Sequence, residues 1–210
     1  SCCKKEDIVI VTGYLAEKVE ESFPDYTFVR QGEDAYGTGY AVMCGMSHPM
    51  FEGYDGEVLI LNGDMPLVRR ETVVRMLERH RSSGCACTLL SCVSRRELPF
   101  GRVIRDKLKP EPGNVVAIVE DADCTPQQKL VRELNVGTYI FDATKLRYAL
   151  ANIKNDNPKR EYYLTDTVSV LISAGERVDA YITPDETEMW GVNTPEDLQE
   201  ISAILNSRSK

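Results

Sequence analysis

The chain has 210 residues, 42 % of them hydrophobic and 28 % charged, a composition that suits one soluble globular domain with at most a small extra lobe. Its formal net charge of −8 excludes a broad nucleic-acid surface, which needs clustered lysine and arginine to neutralise phosphates. No apolar stretch approaches the roughly 20 residues needed to span a bilayer and no signal peptide opens the chain, so a cytoplasmic setting away from membranes is expected.

Residues 7–12 read Asp-Ile-Val-Ile-Val-Thr and end at Gly13, which predicts a strand and a turn. Residues 15–23 then space apolar side chains at helical intervals among Glu and Lys. A second strand is predicted over 26–30, a helix over 38–46, and a third strand over 58–61. That third run is apolar on both faces and is followed by Asn62-Gly63-Asp64-Met65-Pro66-Leu67, as expected of a central parallel strand. A carboxylate just past the carboxyl end of a buried strand is where open α/β sheets place chemistry, so Asp64 is the first candidate functional residue. An ordinary Gly-Asp turn is the alternative.

An amphipathic helix follows over 71–80 and a strand over 85–93, on one face of which Cys85 and Cys87 would lie. The alternation implies βαβ units and a mostly parallel sheet. From Pro99 the pattern changes to two strands, 102–105 and 115–120, separated by a turn rich in Lys, Pro and Gly, which predicts a hairpin excursion. Thr125-Pro126 supplies an N-cap and a first-turn proline for a short helix, and residues 134–141 return as a strand. Helices are predicted over 143–152 and 166–174, a strand over 177–183, and a closing helix from the Thr194-Pro195 cap to Leu205. One domain spanning 1–210 is expected, with no internal repeat.

Of the seven cysteines, Cys44, Cys85, Cys87 and Cys92 fall in apolar segments and the total is odd, which favours buried reduced thiols over disulfides. His48 and His80 have no zinc-type spacing with them.

The polar residues at element ends are more informative together than Asp64 alone. In order they are Gln31, Gly37-Thr38-Gly39, Gly63-Asp64, Gly101-Arg102, Glu120, Glu133-Leu-Asn135-Val-Gly137, Glu161-Tyr-Tyr-Leu-Thr165-Asp166 and Gly191-Val-Asn193. This series, from about Ile8 to about Leu205, resembles the pyrophosphorylase domain of the bacterial bifunctional N-acetylglucosamine-1-phosphate uridylyltransferases, whose other half acetylates glucosamine-1-phosphate. The resemblance implies a Rossmann-like, GT-A-like α/β nucleotide-diphospho-sugar transferase fold. Its sheet would be mixed but mostly parallel, with helices on both faces and a small β-hairpin sugar-binding lobe. It also implies Mg²⁺-dependent transfer of UMP from UTP to N-acetylglucosamine-1-phosphate, giving UDP-N-acetylglucosamine, a cell-wall precursor, and pyrophosphate.

By the same resemblance Gln31, Gly37 and Thr38 read the uracil, and Asn62, Gly63 and Asp64 lie on the nucleotide side. The turn at Gly37 opens a helix whose free N–H groups favour anions. Asp64 and Asn193 hold Mg²⁺, a hard cation that takes oxygen ligands. Gly101, Glu120, Asn135, Tyr163 and Thr165 surround the sugar, with Asn193 at its edge. Structural alternatives stand beside these roles: turn glycines at 37 and 39, an Asx turn at Asn193, a solvated strand end at Glu120, and packing for Tyr162, Tyr163 and Trp190. Asn135 inside an apolar strand is harder to dismiss, since an unpaired buried amide costs about 1–3 kcal/mol.

The chain departs from the family's pattern at several points. Nothing before Ile8 matches the family's Leu-x-x-Gly-x-Gly-Thr-x-Met loop or the Pro-Lys pair after it, and no hexapeptide repeats precede the end at Lys210. A truncated form is therefore expected, without the first strand, the triphosphate loop or the β-helical acetyltransferase half, and with impaired turnover. Smaller departures are an extra residue between Gln31 and Gly37 and an insert over 107–114. Two alternatives remain open: a sugar-nucleotide-binding module without turnover, and a related enzyme making UDP-glucose or dTDP-glucose. Monomer and homo-oligomer are both compatible with the sequence.

Overall fold

The computed structural model describes residues 3–106 and 113–208. In chain order these hold β1 (Val9–Thr12), α1 (Ala16–Ser22), β2 (Thr27–Arg30), α2 (Thr38–Met46), β3 (Glu57–Ile60), α3 (Arg70–Ser83), β4 (Cys87–Val93) and β5 (Arg102–Arg105). There follow β6 (Val115–Val119), α4 (Pro126–Lys129), β7 (Glu133–Asp142), α5 (Ala143–Leu150), α6 (Asp166–Ser173), β8 (Val178–Thr183) and α7 (Pro195–Arg208). Every helix and strand expected from the sequence is present, with ends shifted by a few residues. The insert over 107–114 lies almost wholly outside the described residues. The chain divides into two compact units, Ser1–Glu57 with Asp142–Glu176, and Val58–Phe141 with Arg177–Lys210.

In the first unit β1 and β2 form a parallel pair in register from Val9↔Thr27 to Thr12↔Arg30, the βαβ unit that the alternation predicts. The Arg30 guanidinium binds Glu17 at 2.9 Å and Glu20 at 2.7 Å, tying the end of β2 to α1. Leu15 enters α1 from the left-handed region at φ 56°, a conformation that glycine adopts without strain and leucine does not. Gly45 lets α2 approach β1 closely, since a Cβ there would stand 3.0 Å from Val11 Cγ2.

In the second unit the strand order is β6-β5-β7-β4-β8, with β3 also on β7. Here the structure corrects the expectation of a mostly parallel sheet. β7 runs antiparallel to both β4 and β5, β5 antiparallel to β6, and only β4 with β8 is a parallel pair of known register. The β5–β6 hairpin sets the direction: β7 follows it through the short α4, crosses β5 to run parallel to β6, and so lies antiparallel to β5 on one side and to β4 on the other. β3 is not central either, because β7 is its one strand neighbour among the described residues. The buried strand is β4, whose residues from Cys87 to Cys92 are all inaccessible to solvent. Cys85 lies before β4 begins, so the shared strand face expected for Cys85 and Cys87 does not form. The core behind the sheet gathers Met65, Met76, Leu90, Leu134, Val136, Ile140 and Met189, with Phe100 and Trp190 packed against it. Arg79 clasps Asp179 through two hydrogen bonds of 2.6 and 3.0 Å and fastens α3 to β8.

Candidate functional site

β7 carries the first cluster. Between its pairs Leu89↔Tyr139 and Ser91↔Asn135 it takes four steps where β4 takes two, a bulge centred on Gly137 at φ 83°. Four residues of regular strand would separate Asn135 from Tyr139 by about 13 Å. The bulge closes that distance, and Asn135 Nδ2 donates to Tyr139 Oη at 2.6 Å. Asn135 Oδ1 accepts from the Gly137 N–H at 3.2 Å, and its backbone N–H donates to Gly101 O at 2.8 Å. Gly101 in turn faces Glu120, whose Oε2 is 3.6 Å from where a Cβ at Gly101 would stand. Three of the residues expected around a sugar therefore converge. Glu133, which opens the same motif, has another role: both its oxygens take the Arg105 guanidinium at 2.6 Å.

The second cluster is the loop after β3. Asn62 O accepts from Met65 N at 3.2 Å, closing a turn that leaves Gly63 and Asp64 exposed. The Asp64 carboxylate has no hydrogen-bond or ion-pair partner among the described residues. Its backbone oxygen accepts from Val192 N at 2.8 Å, and a Cβ at Gly191 would stand 3.3 Å from it and 2.9 Å from Met65 Sδ. Gly191 thus lets the strand-like strap 190–193 lie against the Asp64 loop and bring Asn193 to it. The strap is anchored behind by Glu188, only 1 % exposed, which accepts from Thr72 Oγ1 at 2.7 Å. Burial pushes that carboxyl above its ordinary range, against the pull of the threonine hydroxyls. In front, Asp197 Oδ2 accepts from the N–H groups of Asn193 at 3.0 Å and Thr194 at 2.9 Å. Asn62 bridges the two clusters, its amide lying so close to Gly137 that any side chain at 137 would collide with it.

The remaining expected residues lie in the first unit. Gln31 N donates to Thr12 O at 2.7 Å and extends the β1–β2 ladder, with its side chain turned toward Ala35 O. Residues 36–39 are zipped to 161–164: Tyr162 N donates to Tyr36 O and Gly39 N to Tyr162 O, each at 2.8 Å, and Leu164 N to Thr38 Oγ1 at 3.3 Å. Gly37, at φ 105°, and Gly39 are needed here because a Cβ on either would strike the Tyr162 backbone. This corrects one expectation, since the Gly39 N–H in the first turn of α2 is already bonded within the chain. Thr165 is buried at the residue before α6, while Tyr163 is half-buried. The Tyr162 ring packs on Tyr40 with centroids 6.4 Å apart.

Sequence reasoning missed Tyr139 and Glu188. An aromatic in an apolar strand and a glutamate in an acidic loop carry no local mark of function, and only the bulge and the strap bring them to the candidate residues. Cysteine chemistry adds nothing here: Cys85, Cys87 and Cys92 are free thiols buried in the second unit, and burial pushes Cys92 up to about 11. Among the described residues no helix is long and apolar enough to cross a membrane, and no group of three or more His, Cys, Asp or Glu is placed to hold a metal.

The chain is 38 % identical over 201 residues to the bifunctional protein GlmU of Pelotomaculum thermopropionicum, covering 96 % of this chain and 43 % of that protein. It is 38 % identical over 203 residues to GlmU of Caldanaerobacter subterraneus subsp. tengcongensis, covering 97 % and 43 %. The chain thus spans less than half the length of these curated relatives. Among solved structures, a UDP-glucose pyrophosphorylase complexed with UDP-glucose superposes with a TM-score of 0.67 at 14 % identity, over 95 % of this chain and 80 % of that one. The nucleoside-diphosphate-sugar pyrophosphorylase from Vibrio cholerae gives 0.62 at 14 % identity, over 91 % and 78 %. At such identity these two show a shared α/β fold with a mixed sheet. Residues 1–161 match the MobA-like NTP transferase domain, and the chain belongs to that family.

Proposed function

We propose that this chain serves the transfer of a uridylyl group from UTP to N-acetylglucosamine-1-phosphate, giving UDP-N-acetylglucosamine and pyrophosphate. The observation that carries the reading is the convergence of Gly101, Glu120 and Asn135 on one small corner, where a bare backbone, a carboxylate and an amide offer matched acceptors and donors to a hexose. The 38 % identity to proteins named as bifunctional GlmU supports the choice of sugar and base.

The chemistry asks for little beyond positioning and charge neutralisation, since the sugar phosphate itself attacks the α-phosphorus of UTP and pyrophosphate leaves. Gln31 and the Gly37–Thr38 turn face the uracil, where a side-chain amide and a bare backbone can match a base edge. Glu120 and Asn135 orient the sugar hydroxyls and the N-acetyl group. Asp64 and Asn193 fit a divalent cation: both offer oxygen, the Asp64 carboxylate is exposed with no partner among the described residues, and the strap holds Asn193 to its loop. Two protein ligands with phosphates and water suit Mg²⁺, which keeps part of its hydration. When bound, the ion would neutralise charge on the phosphates.

Calorimetric titration with UDP-N-acetylglucosamine and Mg²⁺, against UDP-glucose, tests the reading. Tighter binding of the N-acetyl sugar is expected, and equal or reversed preference overturns it. Pyrophosphate release from UTP and N-acetylglucosamine-1-phosphate then separates a transferase from a module that only binds.

A further inference from the structure

We propose that Tyr139 is a positioning residue for the sugar corner: its buried hydroxyl pins the Asn135 amide, whose orientation the Gly137 N–H sets, and thereby holds in place the donor and acceptor that a hexose meets. The inference rests on the reading of Asn135 as a sugar-binding residue.

Asn135 has two neighbours for its two amide atoms, and their chemistry decides the orientation. The Gly137 backbone N–H can only donate, so the amide oxygen must face it, at 3.2 Å. The nitrogen then faces Tyr139 Oη at 2.6 Å, where a phenol oxygen can accept. The reversed amide would set donor against donor at Gly137 and leave a buried N–H unpaired. Without the hydroxyl, only the longer bond to Gly137 would hold the amide in place.

Tyr139 is built to be immobile. It is 2 % exposed, its ring stacks on Phe141 with centroids 5.7 Å apart and planes 28° from parallel, and the bulge at Gly137 sets its height along β7. Burial keeps the phenol protonated, so it stays an acceptor toward Asn135 with a proton of its own to donate. What Asn135 then offers a ligand is one remaining N–H and one remaining carbonyl lone pair in a fixed order. That order suits a partner presenting an acceptor and a donor side by side, as an N-acetyl carbonyl beside a ring hydroxyl does.

The test uses Tyr139→Phe, which keeps the stacked ring, and Tyr139→Leu, which removes it. Dissociation constants for UDP-N-acetylglucosamine and for UTP, both with Mg²⁺, are compared across the chain and its two variants. The Phe variant should weaken the sugar nucleotide about three- to tenfold, the loss of one hydrogen bond's ordering, with UTP unchanged. A purely structural role predicts the Phe variant to bind as the parent chain and the Leu variant to lose both ligands alike, and that result overturns the proposal. Side-chain amide NMR reads the same claim without ligand. The two Asn135 amide protons should be well separated and slow to exchange in the parent chain and should lose both properties in the Phe variant. Unchanged Asn135 signals in that variant overturn the positioning role. A parent chain that binds no N-acetyl sugar yet shows the signal change overturns the sugar reading alone.

Discussion

Asn135 is 8 % exposed with both ends of its amide bonded to its own chain, whereas Asp64 is exposed and its carboxylate has no partner among the described residues. The two stand in the same unit, linked through Asn62 and Gly137, yet under the proposed function they meet opposite kinds of ligand. A neutral sugar brings only hydrogen bonds, each of small net value in water, so its site gains by having donors and acceptors ordered beforehand. A triphosphate brings charge and a hydrated cation. Its site gains by keeping a carboxylate solvated and unneutralised until the ion arrives.

The largest expected effect comes from the open corner. Asp64→Ala should abolish Mg²⁺-dependent UTP binding and cut any turnover by about 10³-fold or more, while leaving the melting temperature almost unchanged, because surface residues without partners change stability by no more than about 0.5 kcal/mol. Titrations with and without Mg²⁺ check it, and equal affinity in both conditions removes Asp64 from the metal site. Asn135→Ala should behave in the reverse way. It strands the Tyr139 hydroxyl and the Gly137 N–H, so it should cost about 1–3 kcal/mol of stability and weaken sugar ligands while sparing UTP. Equal loss for UTP would misplace the sugar corner, and an unchanged melting temperature would mean that the internal bonds are not worth what their burial suggests.

The smallest effect is acid sensitivity confined to the open corner. The N–H groups of Asn193 and Thr194 and the Thr194 hydroxyl hold the Asp197 carboxyl below its ordinary value of 3.8. A carboxyl lowered in the folded state lends stability above its unfolded value and loses it as pH falls through the lowered folded value. Amide signals of Asn193 and Thr194 should therefore shift only below about pH 4. Those of Asn135 should stay still there, since the buried Tyr139 phenol remains protonated throughout. Movement of both sets together would show that the corners are not independent.

Much of this architecture is legible in the amino-acid sequence. The hairpin after Pro99 announces itself by strand runs around a Lys, Pro and Gly-rich turn, and Asn135 stands out as an amide inside an apolar strand. Gly191 and Asn193 are visible as a motif, although not the reason for the glycine, which is the close passage of the strap over Asp64 and Met65. Strand pairing is not legible, because it is a long-range property. β3 looks central from its apolar run yet has one strand neighbour among the described residues, and β7 enters antiparallel between strands that local pattern cannot rank. Tyr139 is hidden for a related reason. In a strand of period two, nothing in the spacing from 135 to 139 says that the side chains touch, and only a bulge on which Gly137 takes a positive φ makes it so.

The zipper between residues 36–39 and 161–164 has a consequence in time. Thr38 waits 126 residues for Leu164, its hydrogen-bond partner. At roughly 5–20 residues per second of synthesis, that interval lasts on the order of 6–25 s. Until that interval closes the turn at Gly37 lacks the segment 161–164 it pairs with, while the second unit's Val58–Phe141 segment has emerged with its hairpin. The turn at Gly37 is thus assembled after the corner of Gly101, Glu120 and Asn135 on the nascent chain, and the glycines that let it fit against Tyr162 do so by late docking onto a segment made long after them.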